Sequence, residues 1–426
     1  MFSWPFPDRV KQQYEEYKDS QWHSPEKLCA LQREKLHHLL HHASAHVPFY
    51  RKISARDQLT VPILTRKMLQ DHHSEFIADN SPPSSMHCHS SGGTTGEPVR
   101  YYLDNRLKTL SRAMERRGDY EWTGTVPSSR KVLLWGRVHV NNRSLPLLRG
   151  FLNRQWKYYL YSATEQDVAH VIRDIKLIRP QIIMGYASFI DRIARFMEKH
   201  RVAVPTPQAI ISTAEILTEE TRDLAQRVFG CRVYNRYASG EFGLIASKCP
   251  LGNLHIHSER VMVEVLQNGL PAPPGTEGEI VITDLDNYAF PLIRYCTGDV
   301  GVLSDSLCPC GRGLPVLQRV LGRTTDYIQT PMGVSVLASE TFTAFRVVCT
   351  QQEIRQVQIV QPRLDTIIAR VVVGPGYTRD LEQVIRKLLF DLCFRHTGIT
   401  HIEFEYVNEL ETAVSGKTPY YLSRLR

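Results

Sequence analysis

No run of about 18 consecutive apolar residues occurs in this 426-residue chain, so no segment reads as a membrane-spanning helix. The opening stretch, "MFSWPFPDRVKQQYEEYKDSQW", lacks the apolar core of a signal peptide and is rich in charge, so the expected location is the cytoplasm. Low-complexity linkers and internal repeats are missing too. Hydrophobic residues make up 42% and charged residues 23%, which excludes a disordered chain. Charge of one sign is never concentrated. The net +8 is spread along the chain, and its nearest approach to a basic run, "RAMERR", reads as a solvated helix face, so no nucleic-acid partner is expected. Cysteines number nine, an odd count with no secretory signal, which points to thiols or metal ligands and away from a disulfide framework. A nucleotide P-loop is absent as well. "SGKT" near the end of the chain resembles the last part of one, but Glu411 stands where its first glycine belongs.

What is present is a regular alternation between Thr164 and Gly243. "TEQDVAHVIRDIKLIRP" places Val168, Val171, Ile172 and Ile175 on one helical face, and "QIIMGY" follows as a buried strand. A helix ("SFIDRIARFMEKH"), a strand ("QAIIST"), a helix from Thr218 to Gly230 and a third strand ("CRVYNRY") continue the pattern. Strands alternating with helices predict an α/β fold with a mostly parallel sheet covered on both faces, whose ligands gather at the carboxyl ends of strands. "STAE" (Ser212 to Glu215) and "ASGE" (Ala238 to Glu241) lie at two such ends. From Leu254 to Asp326 the texture becomes β-rich. Beyond Asp326, strands "IRQVQIV", "TIIARVVVG" and "ITHIEFEYV" surround a helix with Leu381, Val384, Ile385 and Leu388 expected inward. The expected organisation is a large domain over residues 1–325 and a small α+β domain over residues 326–426. Upstream, "REKLHHLLHHASAHVPF" predicts a helix from about Arg33 with surface histidines and a proline stop.

Two constellations carry chemistry. "SGGTTGEP", Ser91 to Pro98, offers little except backbone N–H groups and hydroxyls, which suits an anion and in particular a phosphate. An ordinary flexible turn is the alternative. The second constellation joins Cys249 and His255 of "CPLGNLH" to Cys308 and Cys310 of "CPC". Three thiolates and an imidazole suit a closed tetrahedral structural Zn²⁺, although the spacing is unlike a standard finger and two pairs of free thiols are the alternative. His257 competes with His255, but strand alternation puts the two on opposite faces.

Taken in order, "SGGTTGEP", "YASGE", "RYCTGD", "LGRTTD" and "SGK" resemble, in sequence and spacing over almost the whole chain, the motifs of the adenylate-forming ligases. The resemblance is to the phenylacetate–coenzyme A ligase-like branch that includes the CapK-type proteins. It implies ATP- and Mg²⁺-dependent activation of a compact or aryl carboxylic acid, followed by transfer to a thiol, most simply coenzyme A. A carrier-protein thiol, an amine, or a non-catalytic nucleotide-binding relative are the alternatives. By the resemblance, Ser91, Gly92, Gly93, Thr94, Thr95 and Gly96 grip the β- and γ-phosphates. Glu97 stands where the family often carries lysine, removing a positive charge near them. Tyr237, with Ala238 and Ser239, stacks on adenine, Glu215 lines the nucleotide site, and Glu241 holds Mg²⁺. Asp299 accepts from the ribose hydroxyls, Arg323 reaches ribose and phosphate, Asp326 marks the hinge, and Lys417 meets the α-phosphate and the attacking carboxylate. The same branch carries zinc at positions corresponding to the cysteine–histidine set. "MGYASF" and "STAE" are the expected contributors to the acid pocket.

Overall fold

The computed structural model describes residues 8–53, 61–82, 84, 86–90, 99–135, 150, 153–159, 165–323, 327–333, 335–338, 341, 344–345, 348–349, 353–395, 397–411 and 419–425. Two compact units divide the chain, with the break between Leu321 and Gly322.

The first unit is built on one large sheet. From edge to edge its strands are Leu270–Pro271, Val261–Gln267, Glu277–Asp284, Tyr295–Leu303, Val316–Arg323, Leu254–Ile256, Gly243–Lys248, Arg232–Ser239, Ala209–Thr213, Ile182–Tyr186, Lys131–Trp135 and Gln155–Tyr159. Parallel pairing is confined to the strands between Lys131 and Asn235. The second half of Arg232–Ser239 pairs antiparallel with Gly243–Lys248, and the β-rich region continues the same sheet instead of forming a separate one. Tyr237 to Ser239 therefore sit where strand direction reverses, the kind of switch point at which α/β sheets open a crevice.

Helix ends follow their local chemistry. Thr218 accepts from the Thr221 N–H to start helix Glu219–Phe229, and Gly230 ends it in the left-handed region at φ 69°. Helix Glu165–Ile178 buries Val168, Val171, Ile172 and Ile175 as its periodicity requires. These two helices and Ala187–His200 cover one face of the parallel strands over Val132, Leu134, Ile183, Ile210 and Val233. The other face buries Met184, Ile211 and Tyr234 against Tyr120. Near the N-terminus, helix Pro25–His46 starts eight residues earlier than the sequence predicts, because Ser24 accepts from the Lys27 N–H and Pro25 occupies the first turn. His37, His38 and His41 are exposed on it, as expected.

The second unit holds a four-stranded sheet in the order His401–Tyr406, Thr366–Val373, Ile354–Arg363, Tyr421–Ser423. Helix Arg379–Leu389 packs onto it through Ile385 and Leu389, with Leu381 and Leu388 at the rim. Val384 does not point inward. It is 46% exposed, because the buried stripe runs through Ile385 and Leu389 and the neighbouring position falls about 100° around the helix.

Candidate adenylate site and cysteine–histidine cluster

Strands Met86–Ser90 and Arg100–Asp104 pair antiparallel, with Ser90 opposite Arg100. They are the two arms flanking the glycine-rich stretch, and Ser91 to Pro98 themselves lie outside the described residues. One residue beyond the hairpin base is Tyr101, buried at 4% exposure. A Cβ on Gly240 would stand 2.6 Å from its hydroxyl, so only glycine lets the "YASGE" turn approach so closely. Burial, and then the charge of Glu241, push the Tyr101 phenol above its ordinary pKa. The arm leaving the phosphate-loop candidate is thus anchored beside Glu241.

The turn carrying Glu241 is closed by Ser239, whose hydroxyl accepts from the Phe242 N–H at 3.2 Å. Glu241 is half-buried and makes no hydrogen bond or ion pair among the described residues. A carboxylate so placed suits a cation, which is the chemistry a Mg²⁺ ligand requires.

Asp299 is aimed by a β-bulge. Glu279 pairs with Val300 and Val281 with Cys296, so Thr297, Gly298 and Asp299 face Ile280 alone. Gly298 takes φ 74°, which a side chain would resist. Thr297 fixes the kink by donating to Ile280 O at 3.0 Å and accepting from the Asp299 N–H at 3.1 Å. The re-aimed Asp299 carboxylate then accepts from the Tyr237 hydroxyl at 2.6 Å, Oη to Oδ2. The Tyr237 ring and the Asp299 carboxylate, taken from separate motifs, form one unit held by a charge-assisted bond of about 1.5–3 kcal/mol.

Glu215 lies at the end of strand Ala209–Thr213, following Ala214, whose φ of 66° is costly for a non-glycine residue. Its Oε2 accepts from the Ser188 N–H at 2.9 Å, at the positive end of helix Ala187–His200. Beside it the aromatic rings of Trp135, Tyr186 and Phe189 gather, with centroids 5.3 Å apart for the first pair and 5.5 Å for the stacked second. Sequence reading missed Arg236, which donates to Thr213 Oγ1 at 3.2 Å and to the buried Asp119 carboxylate at 2.5 Å. Arg236 ties the end of one strand to the residue before Tyr237. The signal was available, since "CRVYNRY" places a charge within a strand of a sheet covered on both faces, where it needs a partner. Arg323 ends strand Val316–Arg323, but its side chain, Asp326 and Lys417 lie outside the described residues.

The cysteine–histidine set converges. The ligand atoms of Cys249, His255, Cys308 and Cys310 all lie within 4.8 Å of one another. Cys249 and Cys308 sulfurs are 3.8 Å apart, and Cys310 Sγ is 3.3 Å from His255 Nε2. A tetrahedral site with metal–sulfur bonds of about 2.3 Å has S···S edges of about 3.8 Å, so the spacing fits. His255 Nδ1–H donates to Leu314 O at 3.0 Å, which fixes the tautomer that presents Nε2 to the sulfurs. Burial holds this imidazole below its ordinary pKa and so keeps it neutral. Burial raises the Cys249 thiol to about 11. At Cys310 burial acts the same way, yet hydrogen bonds from Arg312 outweigh it and favour the thiolate. His257 faces away, accepting from Arg117 at 2.8 Å on Nδ1 and bonding Ser247 Oγ at 3.0 Å on Nε2.

No family model matches the chain. Relatives among known proteins do. Protein CapK of Staphylococcus aureus is 24% identical over 426 residues, covering 94% of this chain and 90% of CapK. The phenylacetate–coenzyme A ligase of Thermus thermophilus is 27% identical over 390 residues, covering 84% of each chain. The chain is a homologue of CapK and the phenylacetate–coenzyme A ligases. Its fold is like that of 2-hydroxyisobutyryl-CoA ligase: the crystal structure of that enzyme in the postadenylation state with 2-HIB-AMP matches at a TM-score of 0.71 and 18% identity, covering 93% of this chain and 90% of that one.

Proposed function

We propose that this protein is an ATP-dependent acid–thiol ligase. A carboxylate oxygen attacks the α-phosphorus of ATP, the bond to pyrophosphate breaks, and an acyl-adenylate forms. A thiol, which we take to be that of coenzyme A, then attacks the acyl carbon and releases AMP. The observation that carries this reading is the Tyr237–Asp299 bond, which unites an adenine-stacking ring and a ribose acceptor from two strands. The homologues named as coenzyme A ligases support the choice of thiol.

In this reading Ser91 to Gly96 hold the β- and γ-phosphates, and Ala238, Ser239 and Glu215 complete the nucleotide site. Glu241 holds Mg²⁺, which offsets charge on the phosphates and the acid. Arg323 contacts ribose and phosphate, and Lys417 stabilises charge that builds at the α-phosphorus. The unit beginning at Gly322 serves as the lid that carries this lysine. Trp135, Tyr186 and Phe189 favour an aryl acid, because flat rings at the end of strand Ile182–Tyr186 suit a flat substrate. Zn²⁺ occupies the cysteine–histidine set in a structural role, with four protein ligands and no position for substrate. The site of action is the cytoplasm. No described helix is long and apolar enough to cross a membrane.

The test is pyrophosphate release over a panel of carboxylic acids, with mass spectrometry of products formed with coenzyme A, carrier-protein thiols and amines. Acid-dependent release and a coenzyme A thioester are expected. Release with an amide product, or no acid-dependent release across the panel, would overturn the reading.

A further inference from the structure

Tyr101 is 4% exposed, yet its hydroxyl makes no hydrogen bond among the described residues. The ring accounts for the burial. It belongs to the core cluster that holds Val99, Phe242 and Tyr295, and His89, its cross-strand partner in register, stacks on it with centroids 5.7 Å apart and planes 17° apart. Packing of this kind fixes where the hydroxyl points. A tyrosine hydroxyl withdrawn from water normally finds a partner, because leaving it without one is costly.

This hydroxyl reaches the turn that carries Glu241. A Cβ on Gly240 would stand 2.6 Å from Tyr101 Oη, and after burial it is the Glu241 charge that most strongly keeps the proton on the phenol. Glu241 itself makes no hydrogen bond or ion pair among the described residues, so the two groups converge from different strands without satisfying each other. The carboxylate calls for a cation and the hydroxyl, held protonated, calls for an acceptor. A single ligand meets both demands: an anionic oxygen that binds a divalent cation held by Glu241 and accepts from Tyr101. Phosphate oxygens bind such cations in this way. Tyr101 follows Arg100, which lies opposite Ser90 at the base of the arms flanking Ser91 to Pro98. An oxygen between Tyr101 and Glu241 therefore belongs to the phosphates assigned to that stretch.

The geometry points to Tyr101 as a further substrate-contacting residue, whose hydroxyl donates to an oxygen of the β,γ-diphosphate of ATP, the part released as pyrophosphate. The inference rests on the ligase reading and adds a contact to it. The phenol keeps its proton throughout, and no bond to carbon or phosphorus forms or breaks at it. As the bond between the α-phosphorus and the leaving oxygen breaks, the departing diphosphate gains charge, and a fixed donor aimed at it holds it more strongly.

The experiment is calorimetric titration of the full chain with ATP, pyrophosphate and AMP in the presence of Mg²⁺, for the wild type and for Tyr101→Phe, with no acid present so that nothing turns over. The variant keeps the ring and its stacking on His89. It should bind ATP and pyrophosphate about tenfold more weakly and AMP to within about twofold of the wild type. Its melting temperature should not fall, since the hydroxyl has no internal bond to lose. Unchanged affinities for ATP and pyrophosphate would overturn the assignment. Equal weakening of ATP and AMP, or a lower melting temperature, would make the hydroxyl a structural support of the Glu241 turn and would overturn it too. The two readings fail separately. A wild type that binds ATP with the expected Tyr101 dependence, but releases no pyrophosphate with any acid, loses the ligase reading and keeps this contact. A wild type that binds neither ATP nor pyrophosphate loses both.

Discussion

Tyr237→Phe isolates one hydrogen bond. It keeps the ring proposed to stack on adenine and removes only the hydroxyl that donates to Asp299 Oδ2 at 2.6 Å. A bond to an ionised carboxylate contributes about 1.5–3 kcal/mol when buried. Both residues here are half-buried, so water can replace the hydroxyl and the lower end applies. At about 1.4 kcal/mol per factor of ten, the variant should raise KM for ATP by roughly tenfold. Because adenosine contacts are the same in ground and transition states, kcat should change by less than about twofold. Pyrophosphate release at saturating acid and varied ATP measures both. The pairing makes a second demand: in an Asp299→Ala background the hydroxyl has lost its partner, so adding Tyr237→Phe should do little more. An unchanged KM in the single variant would refute the reasoning. So would the same tenfold effect in both backgrounds.

Other outcomes follow from the remaining roles. Glu241→Gln should lower adenylate formation strongly and recover in part at raised Mg²⁺; a defect indifferent to Mg²⁺ would remove the metal role. Elemental analysis should find one zinc per chain, and Cys308→Ser should lower the melting temperature through the loops around Cys249 and Cys310 while leaving nucleotide affinity intact; folded, active protein without zinc would sink the metal assignment. Lys417→Ala should lose about a hundredfold or more in acyl-adenylate formation, because a cation aimed at developing charge contributes about 3 kcal/mol. The same variant should convert supplied acyl-adenylate to thioester at near wild-type rate, and equal losses in both half-reactions would instead indicate a folding defect.

Residues whose placement depends on short-range patterns were legible in the sequence. Val168, Val171, Ile172 and Ile175 repeat at helical spacing, and they are buried together. Thr218 and Gly230 bracket a helix by local hydrogen bonds and by backbone freedom, and both do so in the structure. The apolar stripe of the last helix was less legible, since Val384 and Ile385 are equally apolar and only the sheet beneath decides which is covered. The Tyr237–Asp299 bond lay beyond sequence reading for a stronger reason. Asp299 meets Tyr237 only because a bulge opposite Ile280 turns its carboxylate, and the register that creates the bulge is set by pairing with another strand. Arg236 could have been flagged as a charge within a predicted sheet strand, but its partner Asp119 is 117 residues away in sequence. The two histidines of "HIH" make the division clear. They share type, burial and neighbourhood, and strand alternation separates them without further information. Alternation does not say which one meets the cysteines. That follows from the pairing of His255 with Val316, which brings Cys308 and Cys310 to one side of the strand while Arg117 and Ser247 claim His257 on the other.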